Sequence, residues 1–300
     1  MNDQAGSTCP HLPRLMFFGG KGGVGKTTVS SAIALALAEQ GRSVMLVSVD
    51  PAHSLSDILD VPLDDSAREV TPGLKARELD PDRALDAYVA GIKDNLRRYA
   101  PPDFLQQAER YVDQSARHPS ARESALFEAM CRIINDQQAD HLIFDTAPTG
   151  HVLHLLSLPE AMTEWTGFLL SRQSEQEDGP APPGDERQAR LTESLEARQA
   201  LFSRTRARLL NTRETGFIPV FNPDIPCLRE TERLLRELAR INVNIPWLVA
   251  NRCNSTTPLP DFCAGRSCLY LPALKSTRLD KSSLHKAGYE ILTQLVDPAD

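Results

Sequence analysis

Residues 19–28, GGKGGVGKTT, constrain the fold more than any other stretch of the chain. Gly20-x-x-x-x-Gly25-Lys26-Thr27 is a phosphate-binding loop pattern, which needs a buried strand before it and a helix after it. The sequence supplies both, with an apolar run from Leu15 to Gly19 and a helical pattern from Thr27 to Gln40. Glycines at 20, 22, 23 and 25 let backbone N–H groups wrap phosphate oxygens, Lys26 can reach the outer phosphates, and the Thr27 hydroxyl suits Mg²⁺. Val24 and Thr28 complete the candidate ligand-binding stretch. Lys21 is a second lysine, in the outward-facing part of the loop, where its own chain's phosphates are already served by Lys26.

Further apolar runs follow at Ser43 to Val49, His141 to Asp145, Gly216 to Phe221, Ile245 to Ala250 and Cys268 to Leu271. Each is apolar on both faces and separated from the next by helical patterns, so the predicted fold is α/β, a doubly wound and mainly parallel sheet. Residues 60–138 are read as helices rather than sheet. Behind the Asp80-Pro81 start, Leu85, Val89, Ile92, Leu96 and Tyr99 line one helical face. A second helical insertion is expected over 159–211, with helices from Glu160 to Ser171 and Ala189 to Leu210. Between them residues 173–187, QSEQEDGPAPPGDER, are acidic and rich in Pro and Gly, which predicts a mobile linker. The two insertions are expected to pack as one helical subdomain of a single nucleotide-binding domain over 1–300, with residues 1–12 a disordered lead-in.

The net charge of −7 opposes non-specific attraction to nucleic acid or anionic lipid. No run approaches the roughly 18 apolar residues of a membrane span, and the N-terminus lacks the apolar stretch of a secretory signal, so a cytoplasmic protein is expected. Six cysteines in 300 residues are too sparse for a disulfide scaffold.

Two motifs stand at strand ends. Asp50 opens DPAHSLSD after the second run, in the crevice where doubly wound sheets bind ligands, and is placed to orient or deprotonate an attacking water. Asp145 opens DTAPTGHVLHLLSLP after the third, as a Mg²⁺-supporting carboxylate would, and Thr146 to Gly150 can contact a γ-phosphate through the backbone.

The loop resembles that of the deviant phosphate-loop ATPases, GKGGxGKT, in which the extra lysine crosses a dimer interface to the partner's nucleotide. A cation supplied in trans to a phosphoryl-transfer transition state is worth about 10³ to 10⁵ in rate. Loop, DPAHSLSD and DTAPTGH with LLSLP, in this order, resemble the arsenite-transport and tail-anchored-protein targeting ATPases. ETERLLRELARINVNIPWLVANR, residues 230–252, also looks like that family's segment leading to its adenine contact.

The resemblance implies an ATP-hydrolysing enzyme with Mg²⁺. It gives Lys26 and Thr27 to phosphate and metal, Asp50 to water, Asp145 to metal support, Gly150 to γ-phosphate sensing and Asn251 to the adenine ring. On pattern alone Asn251 is equally a turn residue. His53 and His151 fall in the switch segments and are read as hydrogen-bonding residues rather than metal ligands. With one loop and no internal repeat, Lys21 can act in trans only in a homodimer.

The cargo is less marked. Trivalent arsenic needs soft thiolates, yet Ser120 stands nearest the first position where the family places a cysteine, and residues 160–226 hold none. The family's metalloid site is therefore expected to be missing, and Cys131, beside Met130 and Ile133, is read as core. An arsenite or antimonite pump-driving ATPase, partnered with a membrane transporter subunit, is the nearest description. The alternative is a targeting factor for hydrophobic membrane proteins, although such a groove is often Met-rich and the chain has five methionines. Cys263 and Cys268, four residues apart, depart from the Cys-x-x-Cys zinc pattern of eukaryotic targeting enzymes. They are read as structural or free cysteines in preference to zinc ligands shared across a dimer. An amphipathic but acidic tail speaks against a membrane-surface positioning ATPase.

Overall fold

A computed structural model describes residues 12–50, 54–99, 102–146, 186–274 and 280–296. The described residues fall into two compact units. The first holds a sheet of eight strands in the order β3-β4-β2-β5-β1-β6-β7-β8. β1 (Leu15–Gly19) runs between β5 (His141–Asp145) and β6 (Thr215–Phe221), parallel to both. β2 (Val44–Ser48) joins β5 to β4 (Leu74–Glu78), and β7 (Leu248–Asn251) joins β6 to β8 (Cys268–Leu271), all in parallel. Every residue of β1, β2, β5, β6 and β7 is buried, the burial expected of parallel strands covered on both faces.

The α/β reading is borne out, and the strand ends shift for local reasons. β7 begins at Leu248 rather than Ile245, because Pro246 has no N–H to give a ladder. A larger correction concerns residues 60–78, read above as helical. β3 (Arg68–Thr71) and β4 form an antiparallel pair there, turning at Gly73 with φ +84°. β4 alternates, with Leu74, Ala76 and Glu78 buried and Lys75 exposed, so its period is that of a strand whose apolar content is too low to announce it.

Helix α1 (Lys26–Glu39) is buried almost all round, so it belongs inside the unit. It packs against the last helix, α8 (Lys281–Val296). The approach is close enough that a Cβ on Gly288 would overlap the Ala32 carbonyl oxygen, so only glycine serves at that crossing. α2 (Ser54–Leu59) and α7 (Ile225–Arg240) complete this unit's helices among the described residues. Asp224 caps α7 by accepting from Cys227 N–H at 3.0 Å.

The second unit is helical: α3 (Pro81–Tyr99), α4 (Pro102–Ser115), α5 (Pro119–Asp136) and α6 (Glu186–Leu209). The first three each open on proline, whose missing N–H costs nothing in a first helical turn. Asp80 caps α3 through the Asp82 N–H at 2.8 Å. Within this unit α6 packs on α5 and α3. Phe127 of α5 stacks on Phe202 of α6 with ring centroids 5.7 Å apart, and Asn135 donates to Thr205 at 2.8 Å. Arg198 of α6 donates to the Tyr88 hydroxyl of α3 at 2.7 Å and pairs with Glu128 of α5. Cys131 is fully buried in this core, and burial pushes its thiol up to about 12. The expected helix from Glu160 to Ser171, and the 173–187 linker but for its last two residues, lie outside the described residues. Among the described residues no helix is long and apolar enough to cross a membrane.

Candidate active site

The loop leaves β1 at Gly19 and enters α1 at Lys26. Gly25, the residue before α1, takes φ +92°, and a Cβ there would lie 2.3 Å from Asn251 Nδ2. Conformation and space both demand glycine. Lys26 is buried and folds back over the loop, its Nζ donating to the Lys21 carbonyl at 3.4 Å. At the crest, Gly22 and Gly23 are exposed, and a Cβ on either would meet nothing within 4 Å. That leaves room for a ligand against the loop backbone.

Strand register brings the carboxylates together. Ser48, the last residue of β2, is level with Glu78 on one side and Asp145 on the other. Asp50 lies two residues further on, its N–H on the Ser48 hydroxyl at 3.3 Å. The three acidic residues therefore stand at the C-terminal edge of the sheet, where doubly wound folds bind ligands.

Asp145 is fully buried, and neither carboxylate oxygen has a hydrogen-bond partner among the described residues. Burial lifts its pKa to about 7; the Thr27 hydroxyl and Lys26 ammonium oppose the shift, and the charges of Asp50 and Glu78 add to it. Buried acceptors without donors are costly. Next to the Thr27 hydroxyl, they fit a hydrated Mg²⁺, which takes one or two protein oxygens and keeps several waters. The Thr27 and Ser54 hydroxyls lie 3.2 Å apart, so the first residue of α2 touches the candidate metal ligand.

Glu78 is a site residue that sequence reasoning missed. Buried at the end of β4, it accepts from Leu55 N–H at 2.9 Å, Ser56 N–H at 3.0 Å and the Ser56 hydroxyl at 2.9 Å. It thereby fixes the first turn of α2, the helix that follows Asp50. The one available signal was the phase of the Leu74-x-Ala76-x-Glu78 alternation.

Asn251 ends β7 with its side chain turned to the loop. Nδ2 donates to the Val24 carbonyl at 2.7 Å, and Oδ1 accepts from Arg252 N–H at 2.9 Å. Neither sequence reading, adenine contact or turn residue, anticipated this brace. Lys21 is half-buried, and its charge reaches the Cys227 thiol at the start of α7, where it opposes the upward push of burial on that thiol. Thr28 is half-buried on α1, beside Thr27. Gly150, His53 and His151 lie outside the described residues.

A family model described as anion-transporting ATPase matches residues 13–279, from just before β1 almost to α8. The chain belongs to this family. Among relatives within the anion-transporting ATPase family, it is 34% identical over 247 residues to an arsenical pump-driving ATPase of Acidiphilium multivorum, covering 80% of this chain and 40% of that one. A putative arsenical pump-driving ATPase 2 of Aquifex aeolicus is 29% identical, with 84% of each chain covered. ATPase GET3 of Podospora anserina is 33% identical, over 80% of this chain and 73% of its own. The chain thus spans about two fifths of the length of the first of these relatives. The family resemblance carried by the loop and the strand-end aspartates is borne out, and both of its named branches occur among the matches.

Proposed function

We propose that the protein is a cytoplasmic, Mg²⁺-dependent ATPase that acts as a homodimer and drives the transport of arsenite or antimonite. The observation that carries the ATPase reading is the buried, donor-less Asp145 carboxylate beside Thr27 at the foot of an open glycine crest. Backbone N–H groups of the loop, with Val24 and Thr28 at its end, bind the phosphates, and Lys26 leaves the Lys21 carbonyl to neutralise their outer oxygens. Mg²⁺, when bound, supplies charge neutralisation at the transferring phosphoryl group; Thr27 Oγ1 would hold it directly and Asp145 through its water. Asp50 orients the attacking water and takes its proton. Gly150 reports the γ-phosphate, and Asn251 uses its remaining amide N–H toward adenine. Lys21 of each protomer stabilises the transition state in the other, so turnover requires the dimer.

The arsenical reading draws on the relatives' names. A targeting factor for hydrophobic membrane proteins is the second reading, supported by the GET3 relative, which matches over 73% of its own length at 33% identity. Turnover with and without antimonite, with molecular mass recorded in each nucleotide state, tests the proposal. Stimulation and an ATP-dependent dimer support it; a monomer at full turnover would overturn the trans role of Lys21. An unstimulated dimer points to a protein client.

A further inference from the structure

Far along the chain from the phosphate loop, two thiols are held together by a turn. Cys263 closes a short 3₁₀ turn, Asp261–Cys263, and Cys268 opens β8. Between them Gly265 takes φ +73°, and Arg266 N–H returns to the Cys263 carbonyl at 3.0 Å. The Cys268 end is tied to the sheet by Leu248 N–H on the Ser267 carbonyl at 2.9 Å. The outcome is an Sγ–Sγ separation of 3.8 Å, with Cys263 buried and Cys268 partly open to solvent. The shared S–H···S bond holds the Cys263 thiol below its ordinary range, helped by the Arg266 guanidinium, and pushes that of Cys268 up. One sulfur is thus prepared as a nucleophile and the other as the proton-bearing partner.

We propose that Cys263 and Cys268 form a dithiol site for a trivalent arsenical or antimonial. Their spacing matches two sulfurs on one arsenic after a small closure. The number of ligands selects the element. Tetrahedral zinc needs four protein ligands in a closed site, so this pair holds zinc only if a second protomer adds two more. A trivalent arsenical that keeps one substituent of its own is satisfied by two thiolates. The chemistry balances without an oxidant: two S–As bonds form, the As–O bonds break, and both thiol protons leave with oxygen as water, arsenic remaining trivalent. This inference takes its choice of ligand from the arsenical reading proposed above. It leaves Cys131, which is fully buried in its own helical unit, without a part in metalloid binding.

Phenylarsine oxide, added to the reduced, nucleotide-free protein, tests the site. One equivalent is expected to remove two free thiols, and peptide mapping of the wild type should find Cys263 and Cys268 carrying the arsenic together. Cys263→Ser or Cys268→Ser turns a chelate into a single contact and should weaken uptake roughly 100-fold, while Cys131→Ala keeps it. Mapping to other cysteines, unchanged uptake in the Cys263→Ala/Cys268→Ala double variant, or a zinc ion held by the pair that the arsenical fails to displace would each overturn the proposal. The mapping needs no variant, so a misfolded mutant leaves the test intact. Without nucleotide in the assay, a protein that binds the arsenical but turns over no ATP supports this site while contradicting the ATPase reading.

Discussion

Asn251 reaches from the end of β7 to donate a 2.7 Å hydrogen bond to the backbone carbonyl of Val24, and so braces the phosphate loop from beneath. Removing the donor leaves a buried carbonyl unpaired, a loss of about 1–3 kcal/mol. Asn251→Ala should therefore lower thermal stability and raise the ATP dissociation constant. Asn251→Asp should be worse, since a carboxylate oxygen then faces the carbonyl. A pure adenine contact would instead leave the melting temperature of the ligand-free protein unchanged in both variants.

Glu78 gathers three donors at the start of α2, whose first residue touches Thr27. Glu78→Gln keeps the shape but turns an amide toward at least one donor, so stability should fall by roughly 1–3 kcal/mol. Because α2 follows Asp50, kcat should drop more than KM for ATP rises. Steady-state kinetics beside a melting curve separate this positioning role from simple destabilisation.

The two loop lysines should part company on mutation. Lys21→Ala is expected to bind ATP yet lose turnover by roughly 10³-fold or more, as when a trans-acting cation is removed. Lys26→Ala should lose binding as well. Equilibrium ATP binding and single-turnover hydrolysis on each variant make the comparison, and full activity in Lys21→Ala would sink the trans mechanism.

Asp145 sets a pH dependence. Burial lifts its folded pKa to about 7, well above the ordinary carboxylate range, so the folded metal-free protein holds this proton more tightly than the unfolded chain. Stability from this group is therefore complete below about pH 4 and is lost as pH rises through about 7. Mg²⁺ needs the carboxylate ionised, so its affinity should climb with pH and level off above 7. Asp145→Asn should abolish that climb and stabilise the metal-free protein at pH 8. Magnesium titrations at pH 6, 7 and 8 decide it.

What the sequence made legible follows from where apolar content is dense. β1 and β5 were placed to the residue because a strand buried on both faces is dense in apolar residues, and β8, half-buried at the sheet edge, because its short apolar run stands between polar turns. The loop was legible because its glycines answer to backbone geometry, which neighbours cannot supply. β3 and β4 were not, since an edge hairpin rich in charge carries only a faint alternation. Glu78 and the Asn251 brace were hidden for another reason. Their meaning depends on contacts across 22 and 227 positions of chain, a relation that local pattern does not record.

The position of β1 bears on how the molecule is made. Among the described strands it comes first in the chain, yet it lies in the interior of the sheet, and its partners begin only at His141 and Thr215. The cover over α1 comes later still, with α8. At about 5–20 residues per second, a ribosome leaves the nascent phosphate loop without its flanking strands for roughly 10–40 s. The phosphate loop is thus made well before the strands and helix that enclose it, which makes the apolar α1 a natural client for whatever chaperone meets the chain at the exit tunnel.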